Sequence, residues 1–297
     1  MLYIILNGKK AGYETVRSAI NTLREEHDDI AVRATYEYGD IERFLNEAVR
    51  DGVKRLIVGG GDGSVNEMVD AMAKLPRDKR PELGILPLGT ANDFATACQI
   101  PMESLEALRL AVSGTAVSVD IAKANDRHFM NMATISFGAQ VTAETPVELK
   151  NFLGGGAYTL AGVLQSFKFV PYEGKIKTPD FETERPGVVG AVCNGRQAGG
   201  GQVLAPKAFI DDGLLDLVMI LEVPFSDIPI LLNELKDPSP DGHYVKHIKT
   251  SWMEGESEKI IPVNLDGEPY QNKKIRFEVV PGAIDLVLPE HCPMLSK

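Results

Sequence analysis

The sequence predicts an α/β N-terminal domain with a mainly parallel sheet and glycine-rich loops, followed by a mostly β C-terminal domain. Three observations carry this prediction. Short apolar runs alternate with stripes of helical period over the first 120 residues, two of those runs end in glycine turns, and extended segments take over beyond about Thr115. At about 150 residues per domain, a chain of 297 residues divides into two, here set at 1–120 and 121–297, with the last residues free to pack back on the first domain.

Residues 2–6 form the first predicted strand, and Val16, Ala19, Ile20 and Leu23 then repeat at i, i+3, i+4, i+7 on one helix face. Residues 30–36 read as a strand. Ile41, Phe44, Leu45, Ala48 and Val49 mark the next helix, with Asp40 as its N-cap. A third strand, 55–58, runs into Gly59-Gly60-Gly61-Asp62-Gly63, followed by a stripe of Val65, Met68, Val69 and Met72. The fourth strand, 83–86, runs into Pro87-Leu88-Gly89-Thr90, with a helix from about Asn92. This βαβ alternation implies parallel strands covered by helices. Further on, the extended segments are 117–124, 129–133, 188–192, 214–221, 260–265, 275–280 and 284–288. A glycine-rich, aromatic stretch at 151–172, a short helix near 227–235 and a polar stretch at 236–242 interrupt them.

Composition removes several classes. With 31 basic and 42 acidic side chains the formal net charge is −11, which argues against a nucleic-acid binder needing a basic face. At 44% hydrophobic and 25% charged the chain is expected to fold. Its longest apolar runs fall far short of the roughly 20 residues that cross a bilayer, and its opening residues read as a strand rather than a signal peptide. Cys98, Cys193 and Cys292, odd in number and far apart, suit reduced thiols.

The chemistry is expected at the two glycine turns. Four glycines and one Asp directly after a strand permit close backbone approach, and successive N–H groups leading into a helix N-terminus form a nest suited to phosphate. The spacing fits neither G-x-G-x-x-G nor the P-loop pattern. The second turn, Pro87-Leu88-Gly89-Thr90-Ala91-Asn92-Asp93, follows a strand of the same sheet, so the two should converge at one edge. There Thr90 offers a hydroxyl to phosphate, while Asn92 and Asp93 either cap the next helix or bond a substrate.

Five ordered blocks resemble the diacylglycerol-kinase-like lipid kinases, relatives of NAD kinases and phosphofructokinases. They are Gly60-Gly61-Asp62-Gly63-Ser64-Val65-Asn66-Glu67, Pro87 to Asp93, Asn194-Gly195 with Gly199-Gly200-Gly201 and Ala205-Pro206, Asp211-Asp212-Gly213-Leu214-Leu215-Asp216, and Asp266-Gly267-Glu268. Gly195-Arg196-Gln197-Ala198-Gly199-Gly200-Gly201 and Asn92-Asp93-Phe94-Ala95-Thr96 are most similar to the YegS-type bacterial lipid kinases. The resemblance implies an NAD-kinase-like or phosphofructokinase-like N-terminal domain, a sandwich-like C-terminal domain and a reaction in the cleft between them.

It also implies an ATP site at Thr35, Gly61, Asp62, Gly63, Ser64, Val65, Asn66, Glu67 and Thr90. By itself Thr35 reads as an ordinary strand residue. Glu268 is implied as general base, with Asp266 beside it and Asp62 as partner of Mg²⁺–ATP or of the substrate hydroxyl. If extended backbone continued through Gly267, Asp266 and Glu268 would share a face, whereas a turn would separate their roles. A cation, Mg²⁺ or Ca²⁺, is implied at Asp212 with the main-chain oxygens of Phe209 and Leu214. His243 and His247 read as a surface pair, and Leu2 excludes N-myristoylation.

The expected protein is therefore a cytoplasmic phosphotransferase acting on a membrane lipid, phosphatidylglycerol-like or diacylglycerol-like. It would meet the inner face of the membrane transiently through a local apolar or Lys-bearing patch, with no obligate protein partner; the aromatic stretch 151–169 reads either as core, the commoner place for such a stripe, or as an interfacial or acyl-chain-binding segment. The alternatives are an NAD or sugar kinase sharing the glycine loop, and a silent nucleotide or lipid sensor.

Overall fold

A computed structural model describes residues 1–136, 173–235 and 237–296. The aromatic stretch 151–172 lies outside the described residues. Four parallel strands, β1 (Leu2–Leu6), β2 (Ile30–Ala34), β3 (Arg55–Gly60) and β4 (Glu82–Pro87), stand in the order β4-β3-β1-β2. Their connections are α1 (Glu14–Glu26), α2 (Asp40–Arg50) and α3 (Asp62–Ala73). After β4 come α4 (Asp93–Ala97) and α5 (Ser104–Ser113).

Successive side chains of a strand point to opposite faces, and the buried residues divide accordingly. Ile4 and Leu6 pack with Val16, Ile20 and Leu23 of α1 and with Leu108 of α5. Tyr3 and Ile5 pack with Phe44 and Leu45 of α2 and with Met68 and Met72 of α3. A sheet covered on both faces needs apolar side chains at consecutive positions, hence the unbroken apolar run of β1.

The later chain is mostly strand: β5 (Thr115–Ala124), β6 (Arg127–Phe129), β7 (Met132–Ser136), β8 (Lys175–Lys177), β9 (Glu182–Thr183), β10 (Gly187–Cys193), the small pair β11 (Gln197–Ala198) and β12 (Gln202–Val203), β13 (Leu215–Leu221), β14 (Val245–Thr250), β15 (Trp252–Leu265) and β16 (Glu268–Leu288). Among the described residues one helix, α6 (Ile228–Glu234), sits between them. The order β14-β13-β10-β7-β15-β16 continues directly into β4, so among the described residues a single 14-stranded sheet spans both halves. β16 makes the join: antiparallel to β15 and β5 along most of its length, it pairs in parallel with β4 at Leu286 and Leu83. Beyond it, Cys292 and Met294 enter the core of the first half beside Cys98 and Ile210.

Several element bounds differ from the sequence reading. The two apolar runs at 275–280 and 284–288 are one strand interrupted by a register shift between Val280 and Ile284, because Gly282 has φ +57°. The strand placed at 260–265 begins at Trp252: its first half pairs with β16 on one side and β8 on the other, and its buried positions, Met253, Gly255 and Ser257, include too few large apolar side chains to make an apolar run. β2 ends at Ala34, which leaves Thr35 and Tyr36 in the following loop. Asp40 is not the N-cap of α2. Gly39 holds that place at φ 88°, and the Asp40 carboxylate accepts the N–H groups of Tyr36 (2.7 Å) and Glu37 (3.1 Å).

Candidate active site

The two glycine turns meet, as the parallel order of β3 and β4 requires. A Cβ on Gly61 would lie 2.9 Å from the Cα of Gly89, and one on Gly89 2.5 Å from the Cα of Gly61, so neither position admits a side chain without displacing backbone. Leu88 N–H donates to the Gly60 carbonyl at 2.8 Å, fixing one turn against the other. At the same edge Asn7 donates through Nδ2 to Ser64 Oγ (3.3 Å), and the Gly8 N–H donates to Thr35 Oγ1 (3.2 Å). Thr35 is therefore a loop anchor rather than a strand side chain.

The glycine turn read at 59–63 ends earlier than expected, because α3 begins at Asp62. Val65 and Asn66 are buried in the interior, so what the stretch from Gly61 to Glu67 offers a ligand comes from Gly61, Asp62, Gly63, Ser64 and Glu67 and from the free N–H groups of a helix N-terminus. Glu67 is pushed above the usual carboxylate range by burial, against an N–H donated by Gly39 and aided by the nearby charges of Glu268 and Asp40. Thr90 is exposed beside Asn92, whose φ of 51° turns the chain into α4.

Asp62 and Asp93 tie the site together. The Asp62 carboxylate accepts the main-chain N–H groups of Asp93 (3.2 Å) and Phe94 (3.1 Å), doing the capping for α4. Asn92 holds the N-cap position, but neither its side chain nor that of Asp93 makes the capping bond. Asn92 Oδ1 instead accepts the Gly89 N–H at 2.7 Å. Asp93 accepts the N–H groups of Gly200 (2.9 Å) and Gly201 (2.6 Å), a clasp from the α/β half to the β-rich half. Gly200 and Gly201 have φ of 89° and 93°, so this nest needs residues without a Cβ.

Asp266-Gly267 is a tight hairpin turn, with φ of 47° and 99°, and separates the roles of Asp266 and Glu268. The Asp266 carboxylate turns inward and accepts the N–H groups of Met130 (2.7 Å), Asn131 (2.9 Å) and Met132 (2.7 Å). Burial pushes it up to about 6 in spite of these three donors, and the charge of Asp62 adds to the rise. Glu268 lies on the other side of the turn, exposed, at the start of β16.

Between the halves lies a cavity of about 360 Å³ lined by Asp62, Asp93, Asn131, Thr134, Asn264 and Asp266 among others. It brings together candidate residues from both ends of the chain. Asn131 escaped the sequence reading because no motif surrounds it. Its Nδ2 donates to the Gln197 carbonyl (2.7 Å), while its Oδ1 is buried without a partner. Asp120 was missed likewise. It is buried and accepts the N–H groups of Gly213 (2.7 Å) and Gly282 (2.8 Å), holding the Asp211-Asp212-Gly213 turn against the β16 irregularity.

That turn carries Phe209, Asp212 and Leu214. Asp212 accepts the Leu214 N–H (3.1 Å) and pairs with Lys249 Nζ (2.7 Å). Hard oxygens suited to a divalent cation are present, and Asp120 is raised by burial and by the charges of Asp212 and Asp211, a crowding that a cation would relieve. Among the described residues no three His, Cys, Asp or Glu side chains gather as a metal cluster, and Lys249 supplies the counter-charge. Of the two histidines read as a surface pair, His243 is exposed and His247 is largely covered. His243 stacks edge-on to Tyr244, whereas His247 Nε2 contacts the buried Asp216 at 2.5 Å.

Paired glycine turns at a helix N-terminus share the cavity with Asp266, which the β-rich half brings; together with its relatives, this makes the protein a phosphotransferase with an alcohol group as acceptor. Comparison with known proteins gives its family. The model for the diacylglycerol kinase catalytic domain matches residues 1–124, and that for the YegS C-terminal NAD kinase beta sandwich-like domain matches residues 133–288. A Shewanella frigidimarina protein described as "Probable lipid kinase YegS-like" is 49% identical, covering 99% of this chain and 96% of the relative. A Chromohalobacter salexigens protein of the same description is 45% identical, covering 99% and 95%. The crystal structure of "a putative diacylglycerol kinase" from Bacillus anthracis superposes with a TM-score of 0.79 at 27% identity, over 98% of this chain and 96% of that one. The chain belongs to the YegS-like lipid kinases of the diacylglycerol kinase family.

Proposed function

We propose that this lipid kinase transfers the γ-phosphoryl group of ATP to a hydroxyl of a phosphatidylglycerol-like or diacylglycerol-like membrane lipid, in phospholipid metabolism. The observation that carries the proposal is the cavity lined by Asp62, Asp93 and Asp266, next to the N-terminus of α3. ATP enters with its Mg²⁺, its phosphates over Gly61, Gly63, Ser64 and Thr90, where helix N–H groups and a hydroxyl meet negative charge. Asp62 faces the cavity while holding α4, and so orients the Mg²⁺–ATP complex or the acceptor hydroxyl.

The acceptor oxygen attacks the γ-phosphorus, Glu268 takes its proton, the bond to the bridging oxygen breaks and ADP leaves. Asp266 acts as a tether that sets where Glu268 begins β16. A divalent cation, Mg²⁺ or Ca²⁺, held by Asp212 and the main-chain oxygens of Phe209 and Leu214, would take over the counter-charge that Lys249 supplies. The enzyme works in the cytoplasm and visits the inner leaflet; no helix among the described residues is long and apolar enough to cross a membrane. With a formal net charge of −11 such docking depends on a local patch.

Labelled ATP offered with lipid micelles and, separately, with NAD or sugars tests this reading. Label in a lipid supports it. Faster transfer to NAD or to a sugar, or ATP binding without transfer to any acceptor, overturns it.

A further inference from the structure

Tyr36 and Tyr38 are each 96% exposed, whereas the next most exposed large apolar side chain among the described residues, Ile260, is 54% exposed. Two aromatic rings left in water forgo the ~1.5–3 kcal/mol that burying a large apolar side chain contributes, and they do so on a loop that is held firmly. The Asp40 carboxylate, itself 4% exposed, accepts the N–H groups of Tyr36 and Glu37 and pairs with Arg43. Gly39, in the left-handed region, donates its N–H to Glu67 of α3, and the Thr35 N–H donates to the Leu6 carbonyl at 2.9 Å. The backbone is fixed on three sides while the rings project free.

The loop's place in the sheet says what the rings are for. Leu6 of β1 pairs with Gly59 on one side and Ala34 on the other, so the end of β2 stands two strands, about 10 Å, from the first glycine turn along the same carboxyl edge. We propose that Tyr36 and Tyr38 form the platform on which the purine base of the nucleotide stacks, with the ribose near Thr35 and the phosphates running back to Gly61 and the N-terminus of α3. This rests on the nucleotide reading of that edge. A membrane contact is the rival use for exposed tyrosines, but Glu37, Asp40 and Glu67 make the loop acidic, and anionic lipid repels it. Stacking on a π-face is tolerant of base identity, so ATP and GTP should bind with similar affinity.

The test is calorimetric titration of the whole chain with ATP and with inorganic tripolyphosphate, which has the phosphates but no base, both in Mg²⁺. The proteins are the wild type, Tyr36→Ala/Tyr38→Ala and Tyr36→Phe/Tyr38→Phe. Stacking predicts that the alanine variant loses about tenfold or more in ATP affinity, keeps its tripolyphosphate affinity, and is rescued by phenylalanine. Equal ATP affinity in wild type and alanine variant overturns the platform while leaving the nucleotide site intact. Equal loss of ATP and tripolyphosphate overturns it too, since the rings would then support the loop rather than the base. A wild type that binds neither probe removes the nucleotide reading itself. Loss of binding to phosphatidylglycerol vesicles with ATP affinity unchanged assigns the rings to a membrane instead.

Discussion

The carboxylate of Asp62 accepts the main-chain N–H of Asp93 at 3.2 Å, and the carboxylate of Asp93 in turn accepts the N–H groups of Gly200 and Gly201. Two acids 31 residues apart in the chain thus form a relay from the first glycine turn, through the second, to the β-rich half. Asp93→Ala cuts the relay at its middle and strands two N–H donors. The expected result is a loss of about 1.5–3 kcal/mol in stability, with kcat/KM lowered for both substrates because the cleft loses its registration. Urea unfolding alongside steady-state kinetics checks this, and unchanged kinetics would show that the clasp serves stability alone.

Glu268→Gln keeps the shape of the side chain but cannot take a proton. A fall of about 10² to 10⁴ in kcat is expected, with ATP affinity almost unchanged because Glu268 begins β16, on a different element from the glycine turns. Loss of ATP binding would assign Glu268 to the nucleotide instead.

Asp266 gives a pH signature with a definite sign. Its folded value, about 6, lies above its ordinary 3.8, so the native state binds the proton more tightly than the unfolded chain. The contribution to stability is full below about pH 4 and is lost as pH rises through about 6. Asp266→Asn does not titrate, and its stability should lack this decline, a difference in slope of up to about 1.4 kcal/mol per pH unit inside that window. Unfolding curves at pH 4, 5, 6 and 7 would read it directly; parallel pH profiles for the two proteins would contradict it.

Lys249→Met removes the ammonium that pairs with Asp212. If that carboxylate, with the main-chain oxygens of Phe209 and Leu214, holds a divalent cation, the variant's Tm should depend more steeply on added Mg²⁺ or Ca²⁺ than the wild type's, by a few degrees. A Tm indifferent to both ions would reject a cation there.

Much of the fold and part of the site were legible in the sequence, for local reasons. Val16, Ile20 and Leu23 face one way on a helix whatever lies beyond them, and Gly59 to Gly61 advertise a close approach because nothing else explains so many residues without a Cβ. What stayed hidden depends on partners distant in sequence. Asp93 and Asp62 read as a cap and a phosphate partner, yet the cap of α4 is Asp62 and Asp93 reaches for a loop more than a hundred residues away. Asn131, just before β7, and Asp120, within β5, lie in unremarkable sequence and gain meaning from Asp266 and Gly213. Thr35 looked like a strand residue because β-branched residues favour strands, and only the hydrogen bond from Gly8 marks it as a loop anchor.

The central claim is phosphoryl transfer to a lipid hydroxyl in the cleft between the two halves. Incubating the purified protein with γ-labelled ATP and a total bacterial lipid extract, then identifying the labelled species, tests it most directly. The account expects label in one lipid class, dependent on a divalent cation and reduced at least a hundredfold by Glu268→Gln. Label that stays in ATP and inorganic phosphate, or that enters a lipid equally well with Glu268→Gln, would contradict it.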